Sequence, residues 1–326
     1  MSKTTRRGLV AVAAAFGLAV ASAGTQAADI ESIHFLVPGG AGGGWDGTAR
    51  GTGEALTKAG IVGQASYENM SGGGGGKAIA HLIEIADKAD DTLMVNSTPI
   101  VIRSLQKVFP QSFRDLTPIA GTIGDYAALV VHTDSDIQDF GALAAAFKAD
   151  PTSVSLGGGS VAGGMDHLVA AMIMKGAGGN PTDVKYVPYD AGGKAMAGLL
   201  SGEIQALSTG FGEAIELAKQ DQVRILCVTS AERLPAATDV PTCIEAGAAG
   251  AEFVNWRGFF GAPGLSAEKQ KAYIDAFTKM YDTPEWETVR ARNGWVNIFN
   301  PGEDFSAFLE KQEREIGGLM KELGFL

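Results

Sequence analysis

The sequence predicts an α/β protein with largely parallel sheets, and three observations carry the prediction. Short apolar, β-branched runs alternate with helically spaced apolar positions along most of the chain. Glycine-rich loops recur between such a strand and such a helix, at Pro38 to Asp46, Ser71 to Lys77 and Gly157 to Leu168. At 326 residues, 45% of them hydrophobic, the chain exceeds one ordinary domain, so two are expected. In open sheets of this kind a ligand sits beyond the carboxyl ends of the strands.

The chain opens with a basic stretch carrying Lys3, Arg6 and Arg7, followed by a charge-free, alanine-rich run up to Asp29. This is the layout of a secretory leader, and Thr25-Gln26-Ala27 places the cut after Ala27 or Ala28. Too few large side chains occur in the run for a membrane anchor. Thr5-Arg6-Arg7 leaves the twin-arginine route open beside the general one. Removing the leader takes three bases and no acid, which moves the formal net charge from −11 to −14. Nucleic acid and anionic lipid are therefore poor partners, and an anionic ligand has to be held by a local site. Cys227 and Cys243 are the only cysteines. An exported chain permits a disulfide between them, and two separate buried thiols fit the residues equally well.

The first unit is Ile33 to Arg50: an apolar run stops at Pro38, crosses six residues of which five are glycine, and reaches Trp45-Asp46. It reads as strand, loop and helix start. Glycine lets the backbone approach a ligand closely while the free N–H groups of the helix point into the loop, which makes an anion cradle. Gly47 to Lys58 reads as the helix, closed by Gly60. Ala65 to Glu68 is a second strand, Gly72 to Gly76 a second glycine loop, and Ala78 to Ala86 its helix. Leu93 to Asn96 is a buried strand with Ser97-Thr98-Pro99 as a polar exit, and Ala127 to His132 a strand leaving the first domain.

The pattern then repeats: helix near Phe140 to Ala149, strand Val154 to Leu156, glycine loop, and helix through Met172. Val184 to Val187 precedes the loop from Pro188 to Gly193 and the helix Lys194 to Leu200. Ile204 to Leu207, a helix through Lys219, and Val223 to Val228 complete the second domain. Phe253 to Phe260 is the return crossing; Ser266 and Thr283-Pro284 start helices, and Glu303 to Leu323 has one apolar side that packs on a core.

Gly42-x-Gly44-x-x-Gly47 matches a dinucleotide fingerprint, with Glu68 closing the next strand, so an exported nicotinamide-dependent oxidoreductase is the alternative to a binding protein. Ser71 to Ala78 lacks the first glycine and the magnesium-binding hydroxyl of a phosphate loop. His34, His81, His132 and His167 are scattered without zinc spacing, and no nucleophile elbow is present. Asp46 and Asp166, each entering a helix after glycines, read as N-terminal caps. Trp45 and Tyr189, in polar loops, read as pocket walls. Arg257, inside an aromatic run, needs a carboxylate partner if it is buried.

With these residues in view, the chain resembles the extracytoplasmic solute receptors of tripartite tricarboxylate transporters, the Bug receptors. The resemblance runs through PGGAGGGWDGTAR from Pro38, YENMSGGGGGKA from Tyr67, GGGSVAGGMDHL from Gly157, VPYDAGGKAMAGLLSGEIQAL from Val187, VPTCIEAG from Val240 and WRGFFGAPG from Trp256. It implies a type II periplasmic-binding-protein fold, two α/β lobes joined by crossing strands, with no enzymatic activity and no cofactor. The lobes would be 29–127 with 256–326, and 128–255, after a leader at 1–28. The implied site takes Gly43, Gly44, Trp45 and Asp46, with Ser97 and Thr98, from the first lobe. Ser160, Val161, Ala162, Gly163, Tyr189, Ala191, Gly192, Gly193, Thr209 and Gly210 come from the second. Gly-Trp-Asp and Trp-Arg resemble the tricarboxylate-binding branch, which implies citrate or a related di- or tricarboxylate and makes Arg257 a candidate for an extra carboxylate. Asp190 stands where a lysine is common in the family. The partners implied are the membrane subunits of the transporter, with the receptor a periplasmic monomer.

Overall fold

A computed structural model describes residues 29–326; the leader expected at 1–28 lies outside the described residues. In chain order, β1 (Ile30–Val37), α1 (Gly44–Lys58), β2 (Val62–Asn69), α2 (Gly76–Glu84), β3 (Thr92–Ser97) and α3 (Thr98–Leu105) begin the first lobe. β4 (Thr117–His132) then carries the chain across. The second lobe holds α4 (Phe140–Ala149), β5 (Ser155–Gly158), α5 (Met165–Gly176), β6 (Lys185–Pro188), α6 (Gly192–Leu200), β7 (Ala206–Gly210), α7 (Phe211–Lys219) and β8 (Val223–Val228). β9 (Val254–Gly261) returns, followed by α8 (Ala267–Tyr281), α9 (Pro284–Arg292), β10 (Val296–Pro301) and α10 (Glu303–Glu322). Among the described residues, no helix is long and apolar enough to cross a membrane.

Within each lobe the strands pair in parallel: β1 with β2 and β3, and β5 with β6 and β7. Every pairing made by β4 and β9 is antiparallel. The expectation of largely parallel sheets is thus corrected at the centre, for a topological reason. One strand leaves the first lobe and the other returns, so each lies against neighbours running the opposite way. β4 pairs with β9 as far as Tyr126 and with β7 from Ala127 onward, so one continuous strand serves both sheets. Its first half went unread because TPIAGTIGDY contains a proline, two glycines and an acid, all poor strand formers. α3 and β10 were also missed. Pro99 sits at N2 of α3, where its absent N–H costs nothing, so the residues read as an exit are a helix start.

Three apolar clusters hold the sheets to their helices. Phe35, Leu56, Phe259, Phe277 and Trp286 join the first sheet to α1, α8 and α9. Leu199, Leu207, Phe211 and Ile225 join the second to α6 and α7. A third cluster runs through both lobes, from Leu82 and Met94 to Leu156 and Leu168, and includes Trp256 against Phe305 of α10. α10 therefore packs on the crossing strands rather than closing one lobe alone.

Cys227 and Cys243 form a disulfide with a sequence separation of 16, which decides between the two thiol alternatives. It pins the segment after β8 to the end of that strand. Replacing both cysteines by alanine is expected to cost about 3 kcal/mol, on the scale for a loop of this length, and to lower Tm by several degrees. Coincident melting curves for the intact and cysteine-free proteins would show that the bond adds nothing.

Candidate functional site

The parallel strands bring several helix N-termini to one cleft between the lobes, and these helices share an unusual feature. The N-cap positions of α1, α5, α6 and α7 are Gly43, Gly164, Ala191 and Gly210, and none supplies a side-chain cap. Away from the cleft, α4, α8 and α9 are capped by Asp139, Ser266 and Thr283 in the ordinary way. α10 also starts uncapped, at Gly302, outside the cleft. In α5 and α7 one first-turn N–H each is taken from outside the helix, Asp166 N–H by Ser160 Oγ and Gly212 N–H by Asp125, whereas the first turns of α1 and α6 are left free for an anion. Glycine is required there by space as well. A Cβ at Gly159 would run into the Gly192 backbone, and one at Gly44 would lie 2.6 Å from Glu213 Oε1. In the neighbouring loop Gly72, Gly73, Gly74 and Gly75 all have positive φ, a path closed to most other residues.

The cleft opens to solvent between glycine backbone from both lobes, with Trp45, Ser97, Ser160 and Asn255 on its walls. Its floor is a charged cluster. Arg257 of β9, 3% exposed, donates from Nη2 to Asp125 Oδ2 at 2.6 Å, and from Nη1 to the Gly44 carbonyl and Thr48 Oγ1 at 3.0 Å each. Asp125 of β4 also accepts the Gly212 N–H at 3.2 Å. Glu213 Oε1 lies 3.7 Å from Arg257 Nη2, while Oε2 accepts from Thr209 Oγ1 at 3.0 Å. Crossing strands, α1 and α7 thus meet on one guanidinium.

Burial pushes the Asp125 carboxyl up, against the pull of Arg257 and the Gly212 N–H. Burial also pushes Asp166 up to about 6, with the Ser160 hydroxyl, the Ser160 and Gly159 N–H groups and Arg257 opposing it. Glu213 is pushed up to about 7 by burial first; Arg257 and Thr209 lower it, while Asp166 and Asp125 add to the rise. Asp190 goes the other way, held below the usual range by Ser71 of the opposite lobe and by Lys194.

Of the residues expected at the site, Gly43, Gly44, Trp45, Ser97, Ser160, Val161, Tyr189, Ala191, Gly192 and Arg257 line the cleft and its extension toward Gly72. Trp45 donates its indole N–H to Ser97 Oγ at 2.8 Å, which fixes the wall. The other seven stand behind it. Thr98 is fully buried; Ala162 and Gly163 accept from Arg103 of α3 and from Gln106 just after it, bridging the lobes. Gly193 faces the Ala41 and Gly42 backbone, and Gly210 faces Asp125. Thr209 is occupied with Glu213. Asp46 is drawn backward: it accepts the Gly42 N–H at 3.0 Å and binds Arg50 and Asn69, so it braces the loop instead of capping the helix. Tyr189 lines the cleft, but its ring packs between Gly157 and Gly198 and its hydroxyl points into the lobe.

Sequence reasoning missed Glu213, Asp125, Asn255 and Gly159. Asp125, a lone acid in an apolar stretch, was the legible partner for Arg257; Glu213 sat in an ordinary amphipathic helix and gave no signal. The dinucleotide fingerprint loses its physical basis here. The third glycine of that motif exists for close packing of helix on strand, yet nothing lies within 4 Å of a Cβ placed at Gly47. A pyrophosphate would also face Glu213 and Asp166.

Two α/β lobes on crossing strands, with uncapped helix starts around an interlobe cleft, define a two-lobed solute-binding protein. Residues 49–325 match the model of the tripartite tricarboxylate transporter family receptor, and the chain belongs to that family. Solved structures agree in fold. The periplasmic binding protein BugD is 21% identical, with a TM-score of 0.82 over 90% of this chain and 98% of its own. Rpa4515 of Rhodopseudomonas palustris with adipate is 19% identical, TM-score 0.80, covering 90% and 97%. MatC of the same organism with bound malate is 19% identical, TM-score 0.77, covering 89% and 99%.

Proposed function

We propose that the protein is a periplasmic receptor that captures a small di- or tricarboxylate, citrate among them, and delivers it to a tripartite tricarboxylate membrane transporter. The carrying observation is the set of uncapped helix N-termini turned into one cleft. The first turns of α1 and α6, one from each lobe, have no side chain accepting from them among the described residues, and they supply N–H donors and positive dipole ends for a carboxylate, with no nucleophile or cofactor needed. Arg257 Nε and Asn255 Oδ1, on residues lining the same cleft, have no protein partner among the described residues. The malate and adipate held by the two structural relatives are acids of this class. With a single arginine on the floor and three acids near it, the charge count favours two ligand carboxylates over three.

Support for lobes at 29–127 with 256–326, and 128–255, comes from the change in β4 pairing after Tyr126. Ligand bridging the lobes would favour the closed arrangement through contacts absent when they part, and closure would present the surface read by the membrane subunits. The seventeen residues expected from the sequence, ten of them on the cleft wall, are the proposed binding set.

A thermal-shift screen of di- and tricarboxylates, aromatic acids, amino acids and nicotinamide dinucleotides tests the proposal. At 100 times Kd a ligand adds about 2.7 kcal/mol of stability, a readily visible rise in Tm. A rise with malate- or citrate-like acids is expected. A rise with dinucleotides alone would overturn the receptor assignment.

A further inference from the structure

Building on the carboxylate site just described, we propose that the cleft takes up a proton together with its ligand: the inner carboxylate of the bound acid is received by Glu213 in neutral form, which donates its O–H to that carboxylate.

The placement of Glu213 carries the inference. Its carboxyl lies between the first residue of α1, from one lobe, and the first residue of α6, from the other. A Cβ at Gly44 would come to 2.6 Å from Oε1, and one at Gly192 would collide with Oε2. This is the ground that an anion held by those two helix starts would share. The groups facing Glu213 are Asp125 from β4, Arg257 from β9, Asp166 from α5 and Thr209 from β7; α1 and α6 present only glycine backbone. Arg257 is the one cation among them, and Asp125 already holds it at 2.6 Å. Glu213 and Asp166 therefore share a poorly solvated part of the cleft whose one facing cation is already engaged, while Arg103, in the extension toward Gly72, donates to Gln106 and the Ala162 carbonyl. A ligand carboxylate arriving there as a further negative charge is opposed by both acids.

Neutralising one carboxyl removes the conflict, and Glu213 is the group already closest to it, being pushed to about 7 before any ligand arrives. The proton comes from solvent and remains on Glu213, and the ligand stays an anion. A dianion thus adds one net negative charge to the cleft instead of two. The sign follows. Well below pH 7 Glu213 is already neutral, so binding takes up no proton. Above its own titration, uptake approaches one proton per ligand and affinity falls about tenfold per pH unit.

Isothermal titration of the whole protein with malate and with citrate, at pH 5.5 and pH 8 in buffers of different ionisation enthalpy, reads the proton count directly. Once the ionisation of the free acid is subtracted, uptake of about one proton at pH 8 and markedly less at pH 5.5 is expected, with Glu213→Gln taking up none at pH 8. Binding at pH 8 without uptake would overturn the proton coupling and leave the carboxylate receptor intact. Uptake persisting in Glu213→Gln would overturn the assignment to this residue. Failure of every acid to bind the wild type at pH 5.5 would overturn the receptor proposal itself. Should Glu213→Gln fail to fold, uptake retained in Asp166→Asn supports the assignment to Glu213, and uptake lost in that variant overturns it.

Discussion

Arg257→Ala is expected to lower Tm by roughly 5–8 °C, the consequence of about 3–5 kcal/mol lost when one partner of a buried ion pair is removed. The cost does not come from the loss of an attraction alone. Asp125 is fully buried and keeps only the Gly212 N–H when the guanidinium goes, so an uncompensated carboxylate is left between the lobes. Two controls separate this from lost packing. The double variant Asp125→Ala, Arg257→Ala should be less destabilised than the sum of the single changes, because neither charge is then orphaned. The Arg257→Ala deficit should also shrink toward acid pH. Without its cation the Asp125 carboxyl titrates higher in the folded chain than in the unfolded one, so the folded state binds the extra proton, and stability gained below that range is lost as pH rises through it. Calorimetric melting at pH 5 and pH 8 checks both; an equal deficit at the two values would mean that packing, not charge, sets the cost.

Gly43→Val is expected to weaken carboxylate binding by about 5- to 150-fold, equivalent to roughly 1–3 kcal/mol of overpacking in the closed state, with little change in the Tm of the unliganded protein. A Cβ at Gly43 would lie 3.4 Å from Ala191 Cβ and 3.4 Å from the Gly192 nitrogen, both across the cleft. Alanine therefore fits at ordinary contact distance, whereas the branches of valine have no room unless the lobes separate. Gly43→Ala should consequently bind nearly as well as wild type. Wild-type affinity in Gly43→Val would show that close approach of the two helix starts is irrelevant to capture. A large fall in unliganded Tm would instead place the effect on folding of the first lobe.

How far the chain disclosed this arrangement follows from which interactions are local. The alternation of strand and helix, the glycine loops at Gly42, Gly72 and Gly157 and the crossing near Trp256 were legible because each depends on residues within a turn or two of one another. Elements lying where composition and location disagree were not. The first half of β4 contains Pro118, Gly121, Gly124 and Asp125, and it is a strand because β9 and β10 flank it on both edges. α3 begins at residues that, taken singly, read as a turn.

The same division governs the site. By itself the sequence determined the family resemblance and the cradle of glycines at helix starts, since both rest on motifs of contiguous residues, and it required a carboxylate for Arg257 because a buried guanidinium must be paired. Only the tertiary structure decided that the partner is Asp125, 132 residues away, and that Asp46 braces its loop. The joining of Cys227 to Cys243 and the placing of Glu213 between two helix N-termini of different lobes were likewise settled by the fold. Those choices depend on which side chains the packed sheets bring within a few ångströms of each other. No periodicity along the chain encodes that distance.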